Sequence, residues 1–145
     1  MKMLKEEGLK LFDWFQLAQQ KESRMVQVRR YLHQYPELSF EEPHTHDFIM
    51  NQLSQLSCEI RTPVGRNGIV ATFKGQGDGP TVALRADFDA LPIDELTDVS
   101  YKSKNPGAMH ACGHDGHTAI LLGVAEIIEN HLSSLNGDVV LIFQY

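Results

Sequence analysis

The chain has 145 residues, 42% hydrophobic and 22% charged, with 13 lysines and arginines against 19 aspartates and glutamates for a formal net charge of −6. That length suits one ordinary domain able to bury a real core, and the composition excludes a disordered or low-complexity chain. The negative balance argues against a binder driven by attraction to nucleic acid or anionic membrane, and no apolar run reaches the ~18 residues of a membrane span.

In chain order, Leu4, Leu11, Phe12 and Phe15, then Met25, Val28, Leu32 and Tyr35, recur near helical spacing. This predicts two helices or one kinked helix, ended by Pro36 because the residue before a proline is pushed out of the helical region. The aromatic residues Phe12, Trp14 and Phe15 are expected to pack in a core or an interface. His33 reads as a helix-end residue with nothing beside it to complete a site. Phe48, Ile49, Leu53 and Leu56 predict a second amphipathic helix over 43–56, and His44 and His46, two apart on it, diverge too far to share a metal. Residues 58–62 and 69–73 read as two strands across Gly65-Arg66-Asn67-Gly68, where Asn-Gly is a strong hairpin signal. The glycines of 75–80 lack the Gly-Lys-Ser/Thr ending of a phosphate loop and read as a strand connection.

Residues 81–86 form an apolar strand running into Asp87-Phe88-Asp89. The i, i+2 spacing of the two carboxylates places them on one face, at the strand end where open α/β folds usually bind ligands. A long polar connection over 94–107 is itself a functional hint. It leads to Met109-His110-Ala111-Cys112-Gly113-His114-Asp115-Gly116-His117, where three histidines, a cysteine and an acid are concentrated. Thiolate, imidazole and carboxylate are the ligands that zinc and similar divalent ions favour. Were this stretch extended, His110, Cys112 and His114 would face one side. Asp115 or Gly116 then opens a helix carrying Ile120, Leu121, Val124, Ile127 and Ile128 on one face and ending near Asn136-Gly137, followed by a buried strand over 138–144. Strand, helix and strand make a βαβ unit, so the two strands are expected to be parallel, with Asp89, Gln144 and Asp115 at one rim. Cys58 and Cys112 read as reduced thiols, which fits a cytoplasmic protein, and the charged first residues lack the apolar core of a signal peptide.

The segments Arg85-Ala86-Asp87-Phe88-Asp89-Ala90-Leu91-Pro92 and 109–117, with Arg29-Arg30-Tyr31-Leu32-His33-Gln34-Tyr35-Pro36-Glu37-Leu38-Ser39 before them, closely resemble the amidohydrolase branch of the M20 metallopeptidase family. That branch includes hippurate hydrolases, indole-acetyl-amino-acid hydrolases and N-acetyldiaminopimelate deacetylases. The resemblance runs from about residue 22 to the end. It implies an α/β fold, a three-layer αβα zinc-peptidase-like core with a mixed sheet, here incomplete at the C-terminus. It implies two divalent ions (manganese, zinc, cobalt or nickel), with Cys112 and His114 as metal ligands and the thiolate as the bridge. Asp89 matches an acid that orients a metal-bound histidine, its contribution to catalysis. Asp87, His110, Asp115 and His117 are assigned by the same resemblance to an outer shell, to substrate contact or to helix capping, not to direct ligation.

The activity implied is hydrolysis of the amide bond of N-acyl amino acids, small-molecule substrates, by enzymes that are homodimeric at full length. In the family the base that takes water's proton is the first of two adjacent glutamates just beyond the strand that here ends at Tyr145. On this reading residues 1–145 are the N-terminal part of the catalytic domain, without its C-terminal half or the inserted dimerisation domain. The chain alone is then expected to be inactive, to bind metal weakly and to self-associate through exposed apolar surface. Two alternatives use the same sequence differently: a truncated, non-catalytic metal-binding or regulatory module, and an interaction protein built on the first amphipathic helix.

Overall fold

The computed structural model describes residues 13–145, so Leu4, Leu11 and Phe12 of the first predicted helix lie outside the described residues. The remainder of that helix is continuous: α1 spans Trp14–Gln34, capped by Asp13, whose carboxylate accepts from the Gln16 amide at 3.0 Å. It ends before Tyr35-Pro36 as the proline predicts. Val28 and Leu32 are buried, whereas Trp14 and Phe15 are 50% and 71% exposed, so these two aromatics are not core residues. Helix α2, Pro43–Leu53, starts with a proline, whose missing N–H costs nothing there, and buries Ile49 and Leu53.

Strands β1 (Glu59–Val64) and β2 (Gly68–Phe73) form the expected antiparallel hairpin, but the turn's positive φ, 70°, falls at Gly65 and Gly68 already opens β2, so the Asn-Gly pair is not its pivot. Strand β3 is Gly79–Asp87, α3 is His114–Glu129, and β4 is Gly137–Gln144. The sheet order is β1-β2-β4-β3, with β4 antiparallel to β2 and parallel to β3. The architecture is therefore mixed α/β, and the βαβ unit has the predicted parallel pairing. Ile69, Ala71 and Phe73 of β2 and Leu141 and Phe143 of β4 alternate onto one face and are fully buried with Val28, Leu32, Ile49, Leu53, Leu122 and Ala125 from the helices. At about 25 cal/mol per Å² of apolar surface removed from water, this shared cluster is the main stabilising term. No helix among the described residues is long and apolar enough to cross a membrane.

Helix α3 stops at Glu129, well short of the predicted Asn136-Gly137. Asn130 donates its side-chain amide to the Glu126 carbonyl at 2.8 Å, and His131 Nδ1 lies 2.7 Å from the Ile127 carbonyl. These side chains occupy last-turn carbonyls that a continuing helix would pair with backbone N–H groups. A short 3-10 turn, Leu132–Ser134, fills the remaining distance to β4.

Candidate metal centre

The parallel pairing of β3 with β4 seats Asp87 opposite Gln144, and the Phe88 amide donates to the Gln144 carbonyl at 2.9 Å. The Thr118 hydroxyl, fully buried on the second turn of α3, donates to the Asp87 carbonyl at 3.0 Å. These bonds hold the N-terminus of α3 against the end of β3. The predicted rim exists.

At this rim the Asp89 carboxylate lies 2.9 Å from His114 Nδ1, with the Asp89 carbonyl at 3.0 Å from the same nitrogen. A proton held at Nδ1 leaves Nε2 as the lone-pair nitrogen, which is how a neighbouring carboxylate prepares an imidazole to bind a metal. The other Asp89 oxygen accepts from the Ser39 hydroxyl at 2.6 Å. Ser39 reaches it because residue 38 bridges residue 90 and the Ala90 amide donates to the Glu37 carbonyl at 2.7 Å. The sequence reading missed Ser39; the only available signal was its place at the end of the 29–39 motif.

His114 Nε2 faces Asp87 Oδ2 at 3.6 Å, and His117 Nδ1 lies 2.6 Å from Asp87 Oδ1. The two imidazoles, three apart on α3, stack with centroids 5.6 Å apart. One donor atom from each of Asp87, His114 and His117 lies within 4.8 Å of the others. Burial pushes the Asp87 carboxyl up, but the His117 bond, the His114 charge and Arg85 outweigh it and hold it below its ordinary range. A negative Asp87 beside two imidazoles suits a divalent cation, and three protein donors leave the open coordination position of a catalytic site. The donor set present therefore fits a divalent ion.

The stretch before His114 is not extended. Gly113, with φ of 90°, caps α3 after a turn, and the helix begins at His114, one residue earlier than predicted. His110, Cys112 and His114 consequently do not share a face: His110 is 4% exposed, its ring 6.4 Å from that of His33, whereas Cys112 is exposed. Cys112 stands outside the group of donors that close to within 4.8 Å among the described residues. Neither ring nitrogen of His110 has a hydrogen-bond partner, and burial pushes its pKa down to about 4. Gly113 has open space around a notional Cβ, so replacing it with alanine tests conformation alone. Gly113→Ala is expected to cost about 1 to 2 kcal/mol for a left-handed L residue, measured by urea unfolding, and to weaken metal binding by displacing the start of α3.

His33 is not an isolated helix-end residue. Its Nδ1 lies 2.7 Å from Asp115 Oδ2 and its Nε2 3.2 Å from Glu95 Oε1, all three side chains at most 5% exposed. Arg29 Nε is 2.8 Å from the same Asp115 oxygen. Asp115 thus serves as an anchor on the first turn of α3, its other oxygen accepting from the Gly116 amide. Glu95, from the long polar loop, also accepts from the Ser103 amide at 2.6 Å and from the Thr97 hydroxyl. Burial would raise the Glu95 carboxyl, but these donors and His33 bring it down to about 2 from 4.5. The folded chain then binds this proton less readily than the unfolded chain. The resulting stabilisation is complete above about pH 4.5 and is lost as the pH falls toward 2. Glu95→Gln should remove roughly 1 to 2 kcal/mol at neutral pH, because the amide loses the charge but keeps an acceptor oxygen for these donors, and flatten acid unfolding in that window. An acid-unfolding curve parallel to that of the unaltered chain would show that Glu95 does not carry this linkage.

Residues 83–145 match the family Peptidase family M20/M25/M40. The N-acetyl-L-cysteine deacetylase of Bacillus subtilis is 49% identical over 85% of this chain, and an Arabidopsis thaliana IAA-amino acid hydrolase is 44% identical over 92%. The crystal structure of the Bacillus subtilis YXEP protein, described as a dinuclear metal binding peptidase from the M20 family, superposes on 86% of the chain with a TM-score of 0.80 at 43% identity. This chain belongs to the M20 family. It spans 30% and 28% of the length of those two relatives and 35% of the YXEP chain. Of the three segments that carried the sequence resemblance, 85–92 and 109–117 fall within the matched segment and 29–39 lies before it; in the fold the first two converge on Asp87, Asp89, His114 and His117.

Proposed function

We propose that this M20 chain forms part of a metal-dependent amidohydrolase that cleaves the amide bond of N-acyl amino acids. The observation that carries the reading is the Asp89–His114 pairing, which fixes a lone pair at Nε2 facing a second carboxylate and a second imidazole. His114 is the ligand common to every version of the site. Cys112 joins it on the strength of the family resemblance, Asp87 and His117 on the strength of geometry. A divalent ion bound there supplies Lewis acidity toward an amide carbonyl and acidifies water, and two such ions would act together on the two reacting oxygens.

The chain's own residues prepare that chemistry. Asp89 is a positioning residue: with one oxygen on His114 and the other on Ser39, it holds the imidazole's orientation and tautomer. Asp87 holds the Nδ1 edge of His117 and keeps its negative charge at the mouth of the site. The proton acceptor is proposed to be a glutamate in the part of the longer polypeptide that the relatives have beyond the matched region. Two relatives' names, a deacetylase for N-acetyl-L-cysteine and a hydrolase for IAA-amino acids, support a substrate that joins an acyl group to an amino acid. Both cysteines are free thiols, which supports a reducing, cytoplasmic setting; homodimerisation of the longer polypeptide is part of the same proposal.

The test is to load the 145-residue chain, and the longer polypeptide carrying it, with manganese, cobalt, nickel or zinc, and to assay free amino acid released from hippurate and N-acetylated amino acids. Metal-dependent release by the longer form, abolished by chelation, is expected, with negligible release by the short one. Metal bound without turnover in the longer form would instead favour the non-catalytic metal-binding module. Comparable turnover by the short form would show that the base lies within these residues.

A further inference from the structure

We infer that His33, on the last turn of α1, is a positioning residue for the metal centre, acting on His114 through Asp115. This inference rests on the proposed metal-binding reading.

His114 is held from two sides. On the rim side, Asp89 grips its ring directly. On the interior side, the adjacent Asp115 is clamped by His33 at 2.7 Å and Arg29 at 2.8 Å, both from α1. His33 is in turn braced by Glu95, which the Ser103 amide and the Thr97 hydroxyl fix in the long loop. Three segments distant in sequence, α1, the 94–107 loop and the first turn of α3, therefore meet at one imidazole. His114 and His117 project from that same turn, so its rotation or translation moves both toward or away from Asp87 together.

Local forces alone do not specify this turn. Gly113 supplies the cap in a left-handed conformation with no side-chain hydrogen bond, a flexible start for a helix that must present two rings in register. The clamp on Asp115 supplies rigidity at the first turn that the Thr118–Asp87 bond, one turn on, does not. Arg29 contributes from a partly exposed position, 36% open to solvent, whereas His33 is 5% exposed. The buried partner fixes the geometry more tightly, because solvent cannot replace its bond.

The experiment is a titration of the 145-residue chain with Co²⁺, following both the dissociation constant and the visible ligand-field bands, which report coordination geometry. Asparagine places an amide nitrogen near the position of His Nδ1, and glutamine places one near Nε2. His33→Ala and His33→Gln are expected to weaken Co²⁺ binding about ten-fold, within the range found for residues that orient metal ligands, and to alter the bands. His33→Asn keeps the donor toward Asp115 and is expected to stay within about two-fold. A core variant on α2, Leu53→Ala, controls for general loss of stability: it should lower the melting temperature and leave cobalt binding within two-fold. Should His33→Ala unfold, the contrast between His33→Asn and His33→Gln carries the test. Equal binding by the Asn and Gln variants, or an equal loss in Leu53→Ala, overturns the positioning role. Absence of cobalt binding in both the unaltered chain and the longer polypeptide carrying it would overturn the metal-centre reading first, and this inference with it.

Discussion

His114→Ala is expected to remove bound metal and amide hydrolysis together. Its Nε2 is the nitrogen prepared by Asp89, and the remaining donors do not replace it: Asp87 and His117 already engage each other at 2.6 Å. A change in an outer partner alone typically costs 10- to 100-fold in metal affinity, so loss of this ligand should exceed about 100-fold, read by elemental analysis after dialysis. In the longer polypeptide, turnover of N-acyl amino acids should fall in parallel, because the ligand acts through metal retention as well as chemistry. Cys112→Ser and His117→Ala, compared side by side, divide the ligand set. If the thiolate binds, the cobalt form shows sulfur charge-transfer absorption in the near ultraviolet that Cys112→Ser abolishes. If the geometry of the described residues persists on binding, His117→Ala loses metal and Cys112→Ser retains it. Unchanged metal content and turnover in both His114→Ala and Cys112→Ser would remove both residues from the site.

Asp115→Ala is expected to be the most destabilising single change near the site, by about 3 to 5 kcal/mol, the usual cost of removing one partner from a buried ionic pair. Its side chain is 0% exposed and accepts from His33, Arg29 and the Gly116 amide. Arg29 can recover water when the carboxylate is gone, whereas His33 and Glu95 remain enclosed with one contact missing. For a domain of this size the loss corresponds to roughly 10 °C in melting temperature. Asp115→Asn keeps volume and an acceptor oxygen and should cost distinctly less. Urea unfolding of both variants measures this; a loss below 1 kcal/mol for the alanine variant would mean that solvent reaches the network and the clamp is slack.

Elements read from local chemistry stand in the structure nearly where the sequence placed them. The Pro36 stop, the hairpin across 65–67 and the parallel strands flanking α3 each follow from forces acting within a few residues: a proline's geometry, a glycine free to take positive φ at residue 65, an apolar repeat. Asp87 and Asp89 were legible for the same reason, since two carboxylates at a strand end need only the period of a strand to share an edge. The Asp89–His114 contact came instead from motif resemblance, and the structure supplies its geometry at 2.9 Å.

The alternation assumed for His110, Cys112 and His114 failed at a turn. Gly113 adopts a φ of 90°, open to glycine whatever its neighbours, so the local sequence left the direction of each side chain undetermined. The packing of α3 under Asp87 and over α1 decided it, burying His110 and leaving Cys112 exposed. The end of α3 was likewise set by side chains, Asn130 and His131, turning back onto its last carbonyls. His33, Ser39 and Glu95 were invisible as partners because their bonds span 82, 50 and 62 residues. A histidine at a helix end and a glutamate in a polar loop carry no local mark of burial. By itself the sequence picked out a set of candidate donor groups and the strand and helix on which they ride. Only the tertiary structure decided which of them meet, because donor geometry at the scale of 3 Å depends on the packing of segments that no local pattern connects.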